Sequence, residues 1–137
     1  MPRSALALGL MGLMPFIAFA GALRFDLVLT DDQARTAAVL YGVVILAFMG
    51  GAQWGLATAA PKPRSSAFTT SVLPALLAWA SLAFASRLAL VILGAGFMIL
   101  LAYDLWTVRR GEAPGWYGRL RIGLSAVVIV CLFACAL

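Results

Sequence analysis

Polar residues divide this chain into five long apolar blocks. The first covers residues 4–23, a run of 20. A helix rises about 1.5 Å per residue, so this run reaches roughly 30 Å, the thickness of a hydrocarbon core. Pro15 sits inside it and predicts a kink near residues 11–15. A polar connection with Asp26, Asp31 and Asp32 follows. Thr30-Asp31-Asp32-Gln33 has the form of a capping box, which predicts a second helix from Asp31 with its lipid-buried part over 37–57. Pro61, Lys62, Pro63 and Arg64 stop that helix. The third block, 68–85, carries Pro74 in its first two turns. Ser86-Arg87 then makes a short link, so the third and fourth blocks read as an antiparallel hairpin. The fourth, 88–106, ends in Tyr103-Asp104-Leu105-Trp106, an interfacial aromatic belt with a carboxylate inside it.

The last span is predicted over 118–137. Its purely apolar part, 122–137, has 16 residues, about 24 Å. It crosses a bilayer only if the turn carrying Arg119 and Arg121 is counted, with those side chains snorkelling to the surface. The pattern therefore predicts one all-α domain over 1–137: an integral membrane helical bundle of five transmembrane helices.

Composition agrees with lipid as the solvent. The chain has 137 residues, 64% hydrophobic and 11% charged, with a mean hydropathy of +1.04. Soluble domains carry roughly 25% charged residues. The net charge of +5 does not point to nucleic acid, because the basic residues sit in short loops between apolar runs. Five spans put Arg3, Lys62, Arg64, Arg109, Arg110, Arg119 and Arg121 on one side and Arg24, Arg35 and Arg87 on the other. Under the positive-inside rule this bias predicts a cytoplasmic N-terminus and a periplasmic C-terminus. Ala18-Phe19-Ala20 behind Arg3 has the look of a signal-peptidase site; the reading taken is that the first block stays as a span.

The absence of histidine removes the commonest general base and metal ligand. Cys131 and Cys135 are too few for a zinc site and read as small apolar residues of the last helix. There is no nucleophile–base pair, and the one lysine lies in a turn. No phosphate loop or nucleotide fingerprint is present. No catalytic residue, metal or cofactor is expected.

Polar chemistry gathers at one end instead. Gln53 and Trp54 end the second span, Asp104 ends the fourth, and Trp116, Tyr117, Arg119 and Arg121 begin the fifth, all on the predicted cytoplasmic side. A compact bundle would make these seven residues one polar-aromatic cluster. An ionised carboxylate at the membrane edge is costly unless paired or hydrated. Arg119 and Arg121 are the available partners for Asp104, through two parallel hydrogen bonds. That pair is either a clasp between the fourth and fifth helices, or a site where an arginine is free to bind an anionic headgroup or substrate, or part of a proton relay. Gln53 bonds either a neighbouring backbone carbonyl or a ligand. Gly50, Gly51 and Gly55 are the helix-packing residues of the second span, and Gly51-x-x-x-Gly55 is a close-packing motif of membrane helices. It serves either packing within the chain or association with another one.

Several of these stretches resemble the transmembrane-protein-69-like family, a domain of unknown function. They are Tyr41-Gly42 with Gly50-Gly51-Ala52-Gln53-Trp54-Gly55, Ser71-Val72-Leu73-Pro74-Ala75-Leu76-Leu77-Ala78-Trp79, Asp104, and Pro114-Gly115-Trp116-Tyr117-Gly118-Arg119-Leu120-Arg121, with Pro15-Phe16 in the first span. The resemblance covers nearly the whole chain. It departs at Gln53, where the family pattern often has histidine, so a proton or metal role does not carry over to that position. The resemblance implies a small multi-span protein of bacterial inner or mitochondrial membranes and no established activity. With no Arg-rich, Ser-rich amphipathic presequence in view, the bacterial inner membrane is expected.

Two functions fit. One is a non-catalytic accessory or assembly subunit docking on a larger inner-membrane complex; it requires a small-residue face left unpacked by the protein's own helices. The other is a small-molecule or lipid-binding carrier with a cytoplasmic-side polar site; it requires a cavity lined by Gln53, Asp104, Arg119 and Arg121. Membrane lipid is a contact in both.

Overall fold

A computed structural model describes residues 1–137. Apolar blocks become helices throughout, because in lipid every backbone polar group has to be satisfied within the chain. They are α1 Arg3–Phe25, α2 Asp31–Ala59, α3 Ser65–Ser81, α4 Ser86–Arg109 and α5 Gly115–Ala136, with no strand. Four of them, α1, α2, α4 and α5, are long and apolar enough to cross a membrane. α3 has 17 residues and rises about 26 Å.

Local signals place most helix ends. Gln33 N–H donates to Thr30 Oγ1 at 3.3 Å, and Thr30 N–H donates to Gln33 Oε1 at 3.1 Å. This closes the capping box that starts α2. α1 and α3 continue through Pro15 and Pro74. Near the first of these, the Tyr41 hydroxyl donates to the Gly12 carbonyl at 3.0 Å, which ties α2 to the stretch of α1 that Pro15 weakens.

The hydropathy pattern misplaces α3. It predicts 68–85, but the helix begins three residues earlier and ends four earlier. Ser86-Arg87 alone cannot reverse the chain, so residues 82–85 form the turn. Their backbone N–H groups donate three residues back, Leu82 to Trp79, Ala83 to Ala80 and Phe84 to Ser81. Apolar side chains in that turn look like helix to any reading based on hydropathy.

In sequence order the helices form a closed ring, each packed on the next and α5 packed back on α1. α2 also crosses the interior to meet α4 and α5. Phe16, Leu46, Leu90, Leu93, Phe97 and Leu132 fill the centre. The Phe16 ring lies 4.9 Å from Tyr41 and 6.3 Å, edge-on, from Phe97. At the far end, Arg35 Nε donates to the Cys135 carbonyl at 3.0 Å and Arg87 Nη1 to the Leu137 carbonyl at 3.3 Å. Two guanidinium groups thus satisfy the last carbonyls of α5, where the helix dipole favours positive charge.

The glycines of α2 divide between two faces. Gly50 is buried against α3. Gly51 and Gly55 face outward, and a Cβ added to either would meet nothing within 4 Å. Of these three helix-packing candidates Gly50 alone packs within the chain, and the Gly51-x-x-x-Gly55 motif does not. Successive residues on a helix are about 100° apart, so Gly50 and Gly51 cannot both point at α3.

Candidate functional site: a buried carboxylate joining three helices

Asp104 stands near the end of α4 with no exposed surface. Its two oxygens are divided between two other helices. Oδ1 accepts from the Gln53 side-chain amide on α2, and Oδ2 accepts from Arg121 Nε on α5 at 2.5 Å. Gln53 is 3% exposed and Arg121 4%. One turn along α4, the Thr107 hydroxyl donates to the Asp104 backbone carbonyl at 2.7 Å. A charge buried this deeply persists only when its lone pairs are filled.

The arrangement differs from the sequence expectation in three ways. Gln53 bonds the Asp104 carboxylate, where a backbone carbonyl or a ligand is expected, because α2 and α4 approach across the ring. Arg121 makes a single bond to the carboxylate where a two-bond fork is predicted, because Gln53 already holds the other oxygen. Arg119 is exposed; two residues from Arg121, it points about 200° away around α5. Of the seven residues predicted to cluster, Gln53, Asp104 and Arg121 meet directly. Tyr117 joins them at the edge, its hydroxyl close to the Asp104 carboxylate but with no partner in hydrogen-bonding geometry. Trp116 is half-buried with its ring 6.3 Å from that of Tyr117. Trp54 lies outside the cluster, half-exposed, with its ring edge-on to Phe68 at 4.9 Å.

Above this triad, the α2–α3 and α4–α5 connections enclose a vestibule of about 670 Å³. Gln53 lines it together with Lys62, Arg64, Tyr103, Arg110 and Glu112. Arg64 Nη2 donates to both oxygens of Glu112, at 3.1 and 3.0 Å, and Arg110 Nε donates to Oε1 at 2.9 Å. Both guanidinium groups also lie over the Trp106 ring, at 5.2 and 4.8 Å from its centroid. The Arg110 hydrogen bond is the main reason the Glu112 carboxyl is held below its usual range; partial burial opposes this and Arg64 adds to it. Lys62 makes no ion pair. Asp104, Arg119 and Arg121 do not line this vestibule, so its charged wall is Lys62, Arg64, Arg110 and Glu112 in their place.

Sequence reasoning passed over Glu112, Thr107 and Ser125. Glu112 is the only acid near the two basic loops, which is a usable signal. Thr107 is three residues from Asp104, within reach of its carbonyl on one helical face. Ser125 repeats the four-residue interval from Tyr117 to Arg121. No three side chains of His, Cys, Asp or Glu gather where they could hold a metal ion.

Comparison with known proteins agrees with a helical membrane protein. The family described as "Protein of unknown function (DUF3429)" matches residues 1–137. Transmembrane protein 69 of Xenopus tropicalis is 38% identical over 138 residues, covering 96% of this chain and 53% of the frog protein. Transmembrane protein 69 of Mus musculus is 34% identical over 137 residues, covering 94% of this chain and 54% of the mouse protein. The chain spans about half the length of these curated relatives. No solved structure matches. With its helical membrane fold and a family match along its whole length, the chain belongs to the DUF3429 family of transmembrane proteins, whose function is not known.

Proposed function

We propose that this chain is a non-catalytic accessory or assembly subunit that docks on a larger complex of the bacterial inner membrane. In this reading all five helices span, α3 with local thinning of the bilayer around its short length. Val72, Leu73, Leu76 and Trp79 along α3 are exposed as lipid-facing residues would be. The N-terminus is cytoplasmic and the C-terminus periplasmic. Arg121 is neutralised by Asp104, yet six basic residues still stand against three.

The observation that carries the docking reading is the outward face of α2. Gly51 and Gly55 are open, with exposed Val44 and Phe48 a turn or two away. A partner helix can approach a backbone closely at such a place. The triad supports the non-catalytic part, because both oxygens of Asp104 are held, one by Gln53 and one by Arg121.

Native mass spectrometry of the protein released gently from its own membrane tests this. Co-purifying membrane subunits, lost in Gly51→Leu and Gly55→Leu variants that keep the fold, are the expected result. A lone monomer in the wild type overturns it. A reporter fused after Leu137 that is active only in the cytoplasm overturns the orientation.

A second reading, a carrier of an amphiphilic molecule, is favoured by a separate feature: an apolar cleft of about 340 Å³ that runs from the lipid-facing side of α1 to the Arg121 side of the triad.

A further inference from the structure

The cleft lies between α1, α2 and α5. Gly9, Gly12, Phe16, Ile45, Met49 and Leu124 supply its apolar walls. Leu8 and Phe48 stand at its rim and are each 67% exposed, so the opening faces lipid. Its polar wall is the stripe Tyr117, Arg121 and Ser125 of α5. Residues four apart on a helix lie on one face, and this stripe runs about 12 Å along the axis.

All three side chains carry an unpartnered polar atom: the Tyr117 hydroxyl, Arg121 Nη2 and Ser125 Oγ. Arg121 is 4% exposed and Ser125 1%. Buried polar groups are nearly always paired. Three such groups in one line, beside an apolar space, describe a site whose ligand supplies the acceptors.

The charge of the site narrows the ligand. Asp104 already neutralises Arg121, so the stripe carries no free charge. A carboxylate or phosphate would add a second anion to one guanidinium in a low-dielectric setting. A cation would meet an arginine, which can only donate. A neutral head with carbonyl oxygens matches all three groups, and the apolar walls match a hydrocarbon tail.

We propose that this cleft binds one uncharged lipid whose carbonyl oxygens accept from Tyr117, Arg121 and Ser125 while its apolar part lies along Gly9 and Gly12. The proposal rests on the carrier reading above. Two sources share this chemistry, a membrane quinone and the ester carbonyl of an uncharged glycerolipid.

The test is titration of the purified protein in dodecyl maltoside with decylubiquinone, dioleoylglycerol or laurate, read by native mass spectrometry. One equivalent of a neutral probe should bind saturably, and the probe that binds identifies the source. Gly12→Phe should weaken it at least tenfold with an unchanged melting temperature, because Gly12 lines the cleft and a Cβ there meets no protein atom within 4 Å, so the ring occupies the space the ligand would take. Tyr117→Phe keeps the ring, removes one donor and should weaken binding severalfold; it serves as the second variant if Gly12→Phe fails to fold. Neutral-probe binding that neither variant alters overturns the proposal. Tighter binding of laurate than of either neutral probe overturns the uncharged head and leaves the carrier reading standing. Saturable binding of none of the three overturns both.

Discussion

Gly50 and Ser71 meet where α2 and α3 pack: a Cβ on Gly50 would lie 2.6 Å from the Ser71 carbonyl oxygen and 3.3 Å from Pro74 Cβ. Neither obstacle is the end of a flexible side chain, so the two helices must separate to admit a methyl group. Pro74 sets this contact in a second way. Its ring cannot donate to the Thr70 carbonyl one turn back, and the α3 backbone is presented to α2 at that turn. Gly50→Ala should therefore destabilise the protein by about 1–3 kcal/mol, as overpacking does. Gly51→Ala, one residue away and facing open space, should change stability by no more than about 0.5 kcal/mol. Thermal unfolding of the two variants in detergent compares them directly. Equal losses would mean that Gly50 does not form the contact.

This pair shows what the sequence displays and what it hides. Apolar run lengths and the Thr30/Gln33 box predict that there are helices and nearly where they lie, because both signals act within a few residues. Which glycine faces inward depends on the rotation of α2 about its axis. That rotation is set by partners such as Ser71 and Leu93, distant along the chain. The end of α3 was hidden for a related reason: Leu82 and Phe84 are apolar whether they continue a helix or turn.

The cluster was legible to a similar depth. Topology alone brings Gln53, Asp104 and Arg121 to one end of the bundle. It does not separate Arg121 from Arg119, which differ only in which face of α5 they occupy. The hydrogen bond from Gln53 also depends on the close approach of α2 to α4 across the ring.

Asp104 and Arg121 are expected to behave as a mutually dependent pair. Removing one partner of a buried pair leaves an uncompensated charge, which costs about 3–5 kcal/mol. Asp104→Leu strands the Arg121 guanidinium, and Arg121→Met strands the carboxylate. The double variant Asp104→Leu/Arg121→Met strands neither and should recover most of the loss, leaving the Gln53 amide as the remaining unpaired group. Arg119→Met should be nearly silent, since that side chain is exposed. A double-mutant cycle on unfolding free energies measures the coupling. Additive single losses would mean that the two residues do not act as a clasp.

Glu112 gives the loops a pH dependence whose sign follows from its partners. Hydrogen bonding from Arg110, reinforced by Arg64, holds its carboxyl below the ordinary value of 4.5. A group whose pKa is lower folded than unfolded stabilises the folded form fully above its unfolded value and loses that contribution as pH falls through its folded value. The junction between the α2–α3 and α4–α5 loops should thus be insensitive to pH near neutrality and weaken in acid, starting near pH 4.5 and deepening below it. Exposure limits the size of the effect, and salt should reduce it further. Limited proteolysis at the two loops across pH 3–7, compared with Glu112→Gln, measures it. The wild type should be the more resistant at neutral pH and should converge on the variant in acid. A difference that persists unchanged at the lowest pH would mean that the Glu112 charge does not hold the loops together.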